Sequence, residues 1–316
     1  MPVSEFELIE AFFARSGLRH EETTVSVGDD CAIIGKDEHS ELAITTDTLV
    51  EGVHFFAGTD PESLGHKSLA VSLSDLAAVG AKPKWATIAV TVPESDPDWF
   101  RAFSSGFFSL ARRFDVELIG GDTTQGPLAI NIQAIGLVPK SAALLRSNAR
   151  PGDKVFVTGT VGDAGLALLS EKREGIVLDT SLADRLHRPS PRVEMGLALR
   201  GLANSCIDLS DGLIADLHHV LRASGVGATI DCKWLPLSAA VKRYIGESNN
   251  YRIPLSAGDD YELCFTIAPE NLQRLAERTD SIECKYSYIG DVESEAGLRL
   301  LGNNNIEILK GYEHFS

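Results

Sequence analysis

The residues of this chain best placed to do chemistry are aspartates, in short clusters flanked by glycine or hydroxyl residues at the ends of apolar runs. They read Val27-Gly28-Asp29-Asp30, Thr45-Thr46-Asp47-Thr48, Ser72-Leu73-Ser74-Asp75, Gly120-Gly121-Asp122-Thr123, Asp208-Leu209-Ser210-Asp211-Gly212 and Gly258-Asp259-Asp260. Aspartate is depleted within strands and favoured in turns, so any one cluster reads as a cap or a turn. The whole set, each member at the lip of an apolar element, points to many carboxylates directed to one place. Crowded carboxylates need cations, and hard oxygen donors select magnesium or calcium. A nucleoside triphosphate brings about four negative charges, and like charges in contact repel by about 1 kcal/mol even in bulk water, several times more near a protein surface. Magnesium must then interpose. The chemistry this supports is in-line phosphoryl transfer with metals neutralising the developing charge, and it requires no nucleophilic Ser, Cys or Lys.

Within the clusters, Asp208 and Asp211 lie where a strand gives way to a helix, so one caps the helix while the other turns toward an ion. Thr45, Thr46 and Asp47 end a strand, where backbone carbonyls and Thr hydroxyls complete a magnesium octahedron. Asp75 sits late in a helix, where a carboxylate opposes the macrodipole unless a cation or solvent holds it. Arg146, in Leu145-Arg146-Ser147-Asn148, is a candidate phosphate clamp through its bidentate fork, or a surface charge on a linker. His54 is a substrate contact or a half-buried structural histidine. The sequence contains no GxxxxGK[ST], kinase HRD or DFG motif, GxSxG or HExxH. Gly159-Thr160-Val161-Gly162-Asp163-Ala164-Gly165 lacks the P-loop lysine and reads as a loop ending in Asp163 as an N-cap.

These residues need elements to hold them. Ser4-Glu5-Phe6-Glu7 is a capping box that opens a helix ending at Gly17. Short buried strands are expected at 31–34 and 42–46. A helix begins at Pro61 and stops at Gly80, followed by a strand over 85–92, a helix over 97–114 and strands over 116–119 and 128–138. Arg150-Pro151-Gly152-Asp153 is turn chemistry and the best domain boundary, dividing the chain into 1–149 and 150–316. Beyond it come strands at 154–158, 205–209, 227–231, 262–267 and 284–289. Helices are expected at 163–169, 191–199, 211–223 and 269–278, with a polar stretch from about 170 to Arg188. Neither half keeps a strict βαβ rhythm, so each is read as α+β.

The 316 residues suit two domains. With 45 acidic against 29 basic side chains the formal net charge is −16, which disfavours nucleic acid and anionic membrane as partners. No secretory signal or apolar span is legible, so a cytoplasmic location is expected. Cys31, Cys206, Cys232, Cys264 and Cys284 lack CxxC spacing and read as free thiols.

Taken in order, the motifs resemble one family. Asp47-Thr48-Leu49-Val50-Glu51-Gly52-Val53-His54-Phe55 is similar to the DTLVEGVHF segment of thiamine-monophosphate kinases. Gly28-Asp29-Asp30-Cys31-Ala32, Ser74-Asp75-Leu76-Ala77-Ala78-Val79-Gly80-Ala81-Lys82-Pro83, Gly120-Gly121-Asp122-Thr123, Asp208-Leu209-Ser210-Asp211-Gly212-Leu213, Gly258-Asp259-Asp260-Tyr261-Glu262-Leu263 and Gly311-Tyr312-Glu313-His314-Phe315 follow in the family's order. The resemblance implies membership of the aminoimidazole ribonucleotide synthetase superfamily. It implies two α/β domains with an ATP cleft between them, the N-terminal one pairing with its twin in a homodimer. The activity implied is transfer of the ATP γ-phosphoryl group to thiamine monophosphate, giving thiamine diphosphate and ADP, with several Mg²⁺ ions.

By the same resemblance Asp30, Thr45, Thr46, Asp47, Asp75, Asp122, Asp208 and Asp211 are metal ligands. Gly121, Asp122, Arg146 and Ser210 contact ATP, and His54, Glu262 and Tyr312 hold the thiamine end. No catalytic side chain is implied beyond the metal ligands, and Asp29, Asp259 and Asp260 have no assigned role. Other readings remain: a selenophosphate or aminoimidazole ribonucleotide synthetase, although Cys31 lacks the context of a selenophosphate synthetase; a magnesium-dependent phosphohydrolase; and a nucleotide-sensing module.

Overall fold

The computed structural model describes residues 9–13, 20–25, 33–34, 38–172, 180–246 and 250–302. Its contacts divide the chain into two units, Met1–Leu76 with Ala81–Ser141, and Ala77–Gly80 with Ala142–Ser316.

In the first unit a π-helical turn covers Ile9–Phe13, and the rest of the helix expected from Ser4 lies outside the described residues. Strands β1 (Thr23–Val25) and β2 (Ile33–Ile34) pair with each other. The main sheet has β3 (Ser40–Val50), β4 (Lys82–Val92), β5 (Glu117–Gln125) and β6 (Ala129–Pro139) in the order β3-β6-β4-β5, with only β4 and β5 parallel. Helix α1 (Pro61–Ala78) precedes β4, and α2 (Pro97–Arg113) links β4 to β5. Asp96 caps α2, accepting from the Asp98 amide, and Pro97 follows in the first turn. Leu64, Leu69, Leu73 and Leu76 of α1, Phe100, Phe103 and Phe107 of α2, and Ile88, Ile130 and Ile132 of the sheet are all buried in this unit, and Trp85 packs in a separate cluster with Ile119 and Ile135. Strand β3 is longer than the run expected over 42–46, and it exposes Leu42 (58%) and Ile44 (59%) at the sheet edge.

The second unit is built on a six-stranded sheet. Its strands are β7 (Lys154–Thr158), β8 (Ala203–Asp208), β9 (Gly227–Asp231), β10 (Leu263–Ile267), β11 (Tyr286–Glu293) and β12 (Gly297–Leu301), in the order β12-β9-β11-β7-β10-β8. All pairs are antiparallel except β12 with β9. The helices are α3 (Asp163–Lys172), α4 (Thr180–His187), α5 (Val193–Leu199), α6 (Leu213–Ser224), α7 (Ala239–Ile245), α8 (Arg252–Ser256) and α9 (Leu272–Thr279). Val155, Val157, Ile207, Cys264 and Ile289 of the strands pack with Leu217, Val220 and Leu221 of α6. Phe156 stacks on Phe265 at 5.5 Å between centroids.

Helix α4 falls where the sequence suggested only a polar stretch. It buries two residues, Leu182 and Leu186, spaced i, i+4 in an otherwise polar segment, too short a pattern to establish a period. Cys206, Cys232 and Cys264 are buried free thiols and Cys284 a half-buried one, while Cys31 lies outside the described residues. No described helix is long and apolar enough to cross a membrane.

Candidate active site

The strand period decides what gathers in the first unit. Along β3 the side chains of Thr45, Asp47 and Leu49 are more buried than those of Ile44, Thr46 and Thr48, so they occupy the covered face. On α1, Ser72 and Asp75 are three residues apart and share one side. The two pairs meet: the Thr45 hydroxyl donates to the Asp75 carboxylate, and the Ser72 hydroxyl donates to Asp47 Oδ2 at 2.7 Å. Burial, followed by the Asp75 charge, pushes the Asp47 carboxyl up to about 6, while the Ser72 hydroxyl pulls it back. Two carboxylates held close by hydroxyl partners, one of them raised by the other, are a hard oxygen donor set that a divalent cation would relieve. Among the described residues no three His, Cys, Asp or Glu side chains form a metal-holding group.

Thr46 lies on the opposite, exposed face, where Gln133 Nε2 donates to its hydroxyl at 3.5 Å. Asp122 is on that face too, because Thr48, Asn131, Ala89 and Asp122 form one row across the sheet. With β5 and β3 at opposite edges, that row separates them by three strand spacings, about 14 Å. Asp122 is exposed and accepts from the Thr123 amide at 2.9 Å, and Gly121 beside it is also exposed. The sheet therefore joins Thr45, Asp47 and Asp75 and leaves Thr46 and Asp122 apart from them. Just after β3, His54 is half-buried and its Nδ1 accepts from the Val50 amide at 3.0 Å, which places the ring proton on Nε2.

In the second unit, β7 and β8 end and β10 begins at one end of the sheet, as Leu263 pairs with Asp208 and Cys264 with Val157. Three loops converge there. In the 208–212 loop Asp208 is buried and Ser210 and Asp211 are half-buried. Its backbone is tied to the 258–262 loop by Leu209 N to Glu262 O, Tyr261 N to Leu209 O and Asp259 N to Ser210 O, each 2.8 Å. Gly212 sits at φ 111°, a conformation for glycine alone, and its amide and that of Asp211 both donate to Asp216 Oδ2 at 3.1 Å. Burial, then Asp208 and Asp211, pushes the Asp216 carboxyl up to about 8.

Glu262 is fully buried. Thr158 Oγ1 (2.6 Å), Arg192 Nε (2.6 Å) and Nη2 (2.5 Å), and Arg185 Nη2 (2.7 Å) all donate to its carboxylate. Burial works against the Arg192 cation, but Glu262 outweighs it and holds the guanidinium pKa above its ordinary value. Gly159, at φ 55°, leaves the room: a Cβ there would stand 2.0 Å from Glu262 Oε1.

The adjacent aspartates point different ways. Asp260 is buried and takes the Gly162 amide on both oxygens (3.0 and 2.9 Å), with burial as the main cause that pushes its carboxyl up to about 8. Asp259 accepts from the Tyr261 hydroxyl at 3.0 Å. This corrects the expectation for Asp163. Helix α3 begins at Asp163, whose carboxylate accepts from the Thr160 hydroxyl, and the amide at the helix entry is satisfied by Asp260. Arg146 is exposed in a 3₁₀ turn, Arg146–Asn148, moored by Ser224 Oγ to Arg146 O (2.9 Å) and Cys206 N to Leu145 O (3.2 Å).

Asp30 and Tyr312, like Asp29, lie outside the described residues. Three residues that shape these sites have no signal in the sequence, Arg185, Arg192 and Asp216, and a fourth, Ser72, stands in the cluster ending at Asp75 without an assigned role. Only Ser72 carried a signal, its i−3 spacing from Asp75.

Comparison with known proteins follows the same division. Residues 28–138 match the model for the N-terminal domain of AIR synthase related proteins, and residues 150–303 match its C-terminal domain. The chain is 46% identical to the thiamine-monophosphate kinase of Escherichia coli (strain K12) over 325 aligned positions, covering 100% of this chain and 99% of that protein. The crystal structure of the thiamine-monophosphate kinase from Stenotrophomonas maltophilia K279a is similar at a TM-score of 0.86 and 40% identity, covering 96% of this chain and 99% of that one. AaThiL complexed with AMPPCP and TMP aligns at a TM-score of 0.78 and 33% identity, covering 98% and 97%.

Proposed function

The chain belongs to the thiamine-monophosphate kinase family of AIR synthase related proteins, and we propose that its ATP-dependent phosphorylation of thiamine monophosphate is a single in-line transfer. An oxygen of the acceptor phosphate attacks the γ-phosphorus, the bond to the β-γ bridging oxygen breaks, and ADP leaves with that electron pair. The similarity over the whole chain to a kinase solved with an ATP analogue and TMP carries this reading.

Bound magnesium would supply charge neutralisation between carboxylates and phosphates. Thr45, Asp47 and Asp75 are the ligands that β3 and α1 bring together. Thr46 shares in that set through its backbone carbonyl, since its hydroxyl faces away. Asp122 serves a separate position beside Gly121, and Asp208 and Asp211 serve another at the sheet end of the second unit, with Ser210 next to the nucleotide. Asp30 completes the ligands. Arg146, exposed on a moored turn, grips phosphate with its fork. His54 presents Nε2–H to the substrate, and Tyr312 offers a ring to the thiamine cation. Glu262, with every oxygen already engaged, contributes at the thiamine end by fixing Arg185 and Arg192 as well as by its own charge.

We take the domain boundary at 149/150, beyond the contact division at Ser141/Ala142, because the turn there is closed by the Arg150 amide donating to Asp153 at 2.9 Å. Leu42 and Ile44, exposed on edge strand β3, suit a homodimer interface. The place of action is the cytoplasm, consistent with free thiols at Cys206, Cys232, Cys264 and Cys284.

The test is incubation with Mg²⁺, thiamine monophosphate and ATP made chiral at the γ-phosphorus. Thiamine diphosphate should form with inversion, and ADP should appear only when the acceptor is present. Retention of configuration would point to a phosphoenzyme, and ADP release independent of acceptor to a hydrolase.

A further inference from the structure

Asp216 is 3% exposed and lies in the first turn of α6, facing back toward the loop that carries Asp208 and Asp211. A helix N-terminus leaves its first amides without intrahelical partners, and a side chain at the N-cap ordinarily serves them. Here the N-cap is Gly212, which has no side chain to offer. The Asp216 carboxylate does the work from four residues further along, with a single oxygen, Oδ2, accepting from both the Asp211 and Gly212 amides at 3.1 Å. The Asp216 amide in turn donates to Gly212 O at 3.0 Å, so the entry turn is closed in both directions.

The other half of the loop is held differently. Leu209 and Ser210 are pinned by backbone bonds to Glu262, Tyr261 and Asp259. Asp216 fixes the backbone of the remaining half, since one of its oxygens accepts from the amides of both Asp211 and Gly212. A third carboxylate beside Asp208 and Asp211 is electrostatically adverse, which the fold tolerates only if its acceptor role is needed there.

We infer that Asp216 is a positioning residue for the phosphoryl-transfer site: it sets the Asp211 carboxylate at the angle from which, with Asp208, it takes a divalent cation. The inference rests on the reading of Asp208 and Asp211 as metal ligands. Groups that orient a metal's ligands typically change affinity by about 10–100-fold when removed.

The test uses the full chain and Mn²⁺ as probe without nucleotide, which would itself chelate the ion, with bound metal read from the loss of the free-ion electron paramagnetic resonance signal. Melting temperature and backbone amide exchange at 211–212 are recorded alongside. Asp216→Ala should weaken Mn²⁺ binding by about 10–100-fold and speed exchange at Asp211 and Gly212. Asp216→Asn keeps an oxygen acceptor for the two amides and should stay within about threefold of wild type by the same measure. In turnover, Asp216→Ala should raise the Mg²⁺ concentration for half-maximal rate while the thiamine monophosphate KM at saturating Mg²⁺ is unchanged. If Asp216→Ala does not fold, Asp216→Ser, whose hydroxyl is too short to reach both amides, takes its place with the same expectations. A folded Ala or Ser variant that binds Mn²⁺ as wild type does would overturn the inference, and so would an Asn variant as weak as Ala. Asp208→Ala is the control for the underlying reading. If it too binds Mn²⁺ normally, the metal assignment itself fails and Asp216 has nothing to position.

Discussion

Replacing Asp47 by asparagine should separate stability from activity, and the size of the first effect can be worked out. In the folded protein the Asp47 carboxyl is raised from 3.8 to about 6, by burial first and Asp75 second. At about 1.4 kcal/mol per pH unit, ionising it in place costs about 3 kcal/mol more than ionising it in the unfolded chain. The folded state thus binds this proton more tightly. In the metal-free wild type this group's contribution is fully present below about pH 4, is lost as pH rises from about 4 to about 6, and is absent above.

The asparagine variant lacks this component of the pH dependence. Its amide oxygen still accepts from Ser72, and it does not repel Asp75. In EDTA at pH 8, Asp47→Asn should therefore be more stable than wild type by up to about 3 kcal/mol, with the gap closing as pH falls toward 4. Urea unfolding followed through buried Trp85, in the same unit, reads this directly. Phosphoryl transfer should meanwhile fall by orders of magnitude. A variant less stable than wild type at pH 8, or a gap of the same size at pH 4 and pH 8, would refute the burial-and-repulsion account. Near-normal activity would remove Asp47 from the metal ligands.

Other outcomes follow from the same contacts. Ser72→Ala removes a hydrogen bond to the ionised Asp47 and should destabilise the metal-free protein by about 1.5–3 kcal/mol at pH 8 and much less near pH 4. A loss independent of pH would make Ser72 a packing residue only. Glu262→Gln leaves the Arg185 and Arg192 guanidiniums without their buried counter-charge and should cost about 3–5 kcal/mol in urea unfolding. A cost under about 1 kcal/mol would show that the arginines find another partner.

What the sequence could show depended on how local the cause was. The turn-forming aspartates, Pro61, Pro97 and the boundaries of β7 and β9 were legible because caps, turns and β-branched runs act over a few residues. The mutual placement of those aspartates was not. Strand alternation in β3 sends Thr46 away from Thr45 and Asp47, and the row across the sheet puts Asp122 with Thr48. Both facts need the register, which is a property of the pairing partners. Arg192 was invisible as a site residue because its carboxylate partner is 70 positions away. Asp216 was hidden for the opposite reason: an aspartate in a helix's first turn already has an ordinary explanation in the macrodipole. Helix α4, with Leu182 and Leu186 as its only buried apolar pair, showed too little periodicity to be distinguished from loop, and Arg185 was missed with it.

The pairing of β3 with β6 runs from Ser40↔Pro139 to Val50↔Ala129 without a bulge. This constrains how the gene for such a protein can change length. One codon inserted or deleted between positions 40 and 45 would turn Thr45, Asp47 and Leu49 out to the exposed face and bring Ile44, Thr46 and Thr48 in against α1. Two codons would restore the face but carry Asp47 about 7 Å along the strand, out of reach of the Ser72 hydroxyl. Length variation among descendants should therefore collect outside this strand and beyond His54, in the connection from Ala57 to Asp60, and a deep mutational scan with single-residue insertions should find β3 among the least tolerant stretches of the chain.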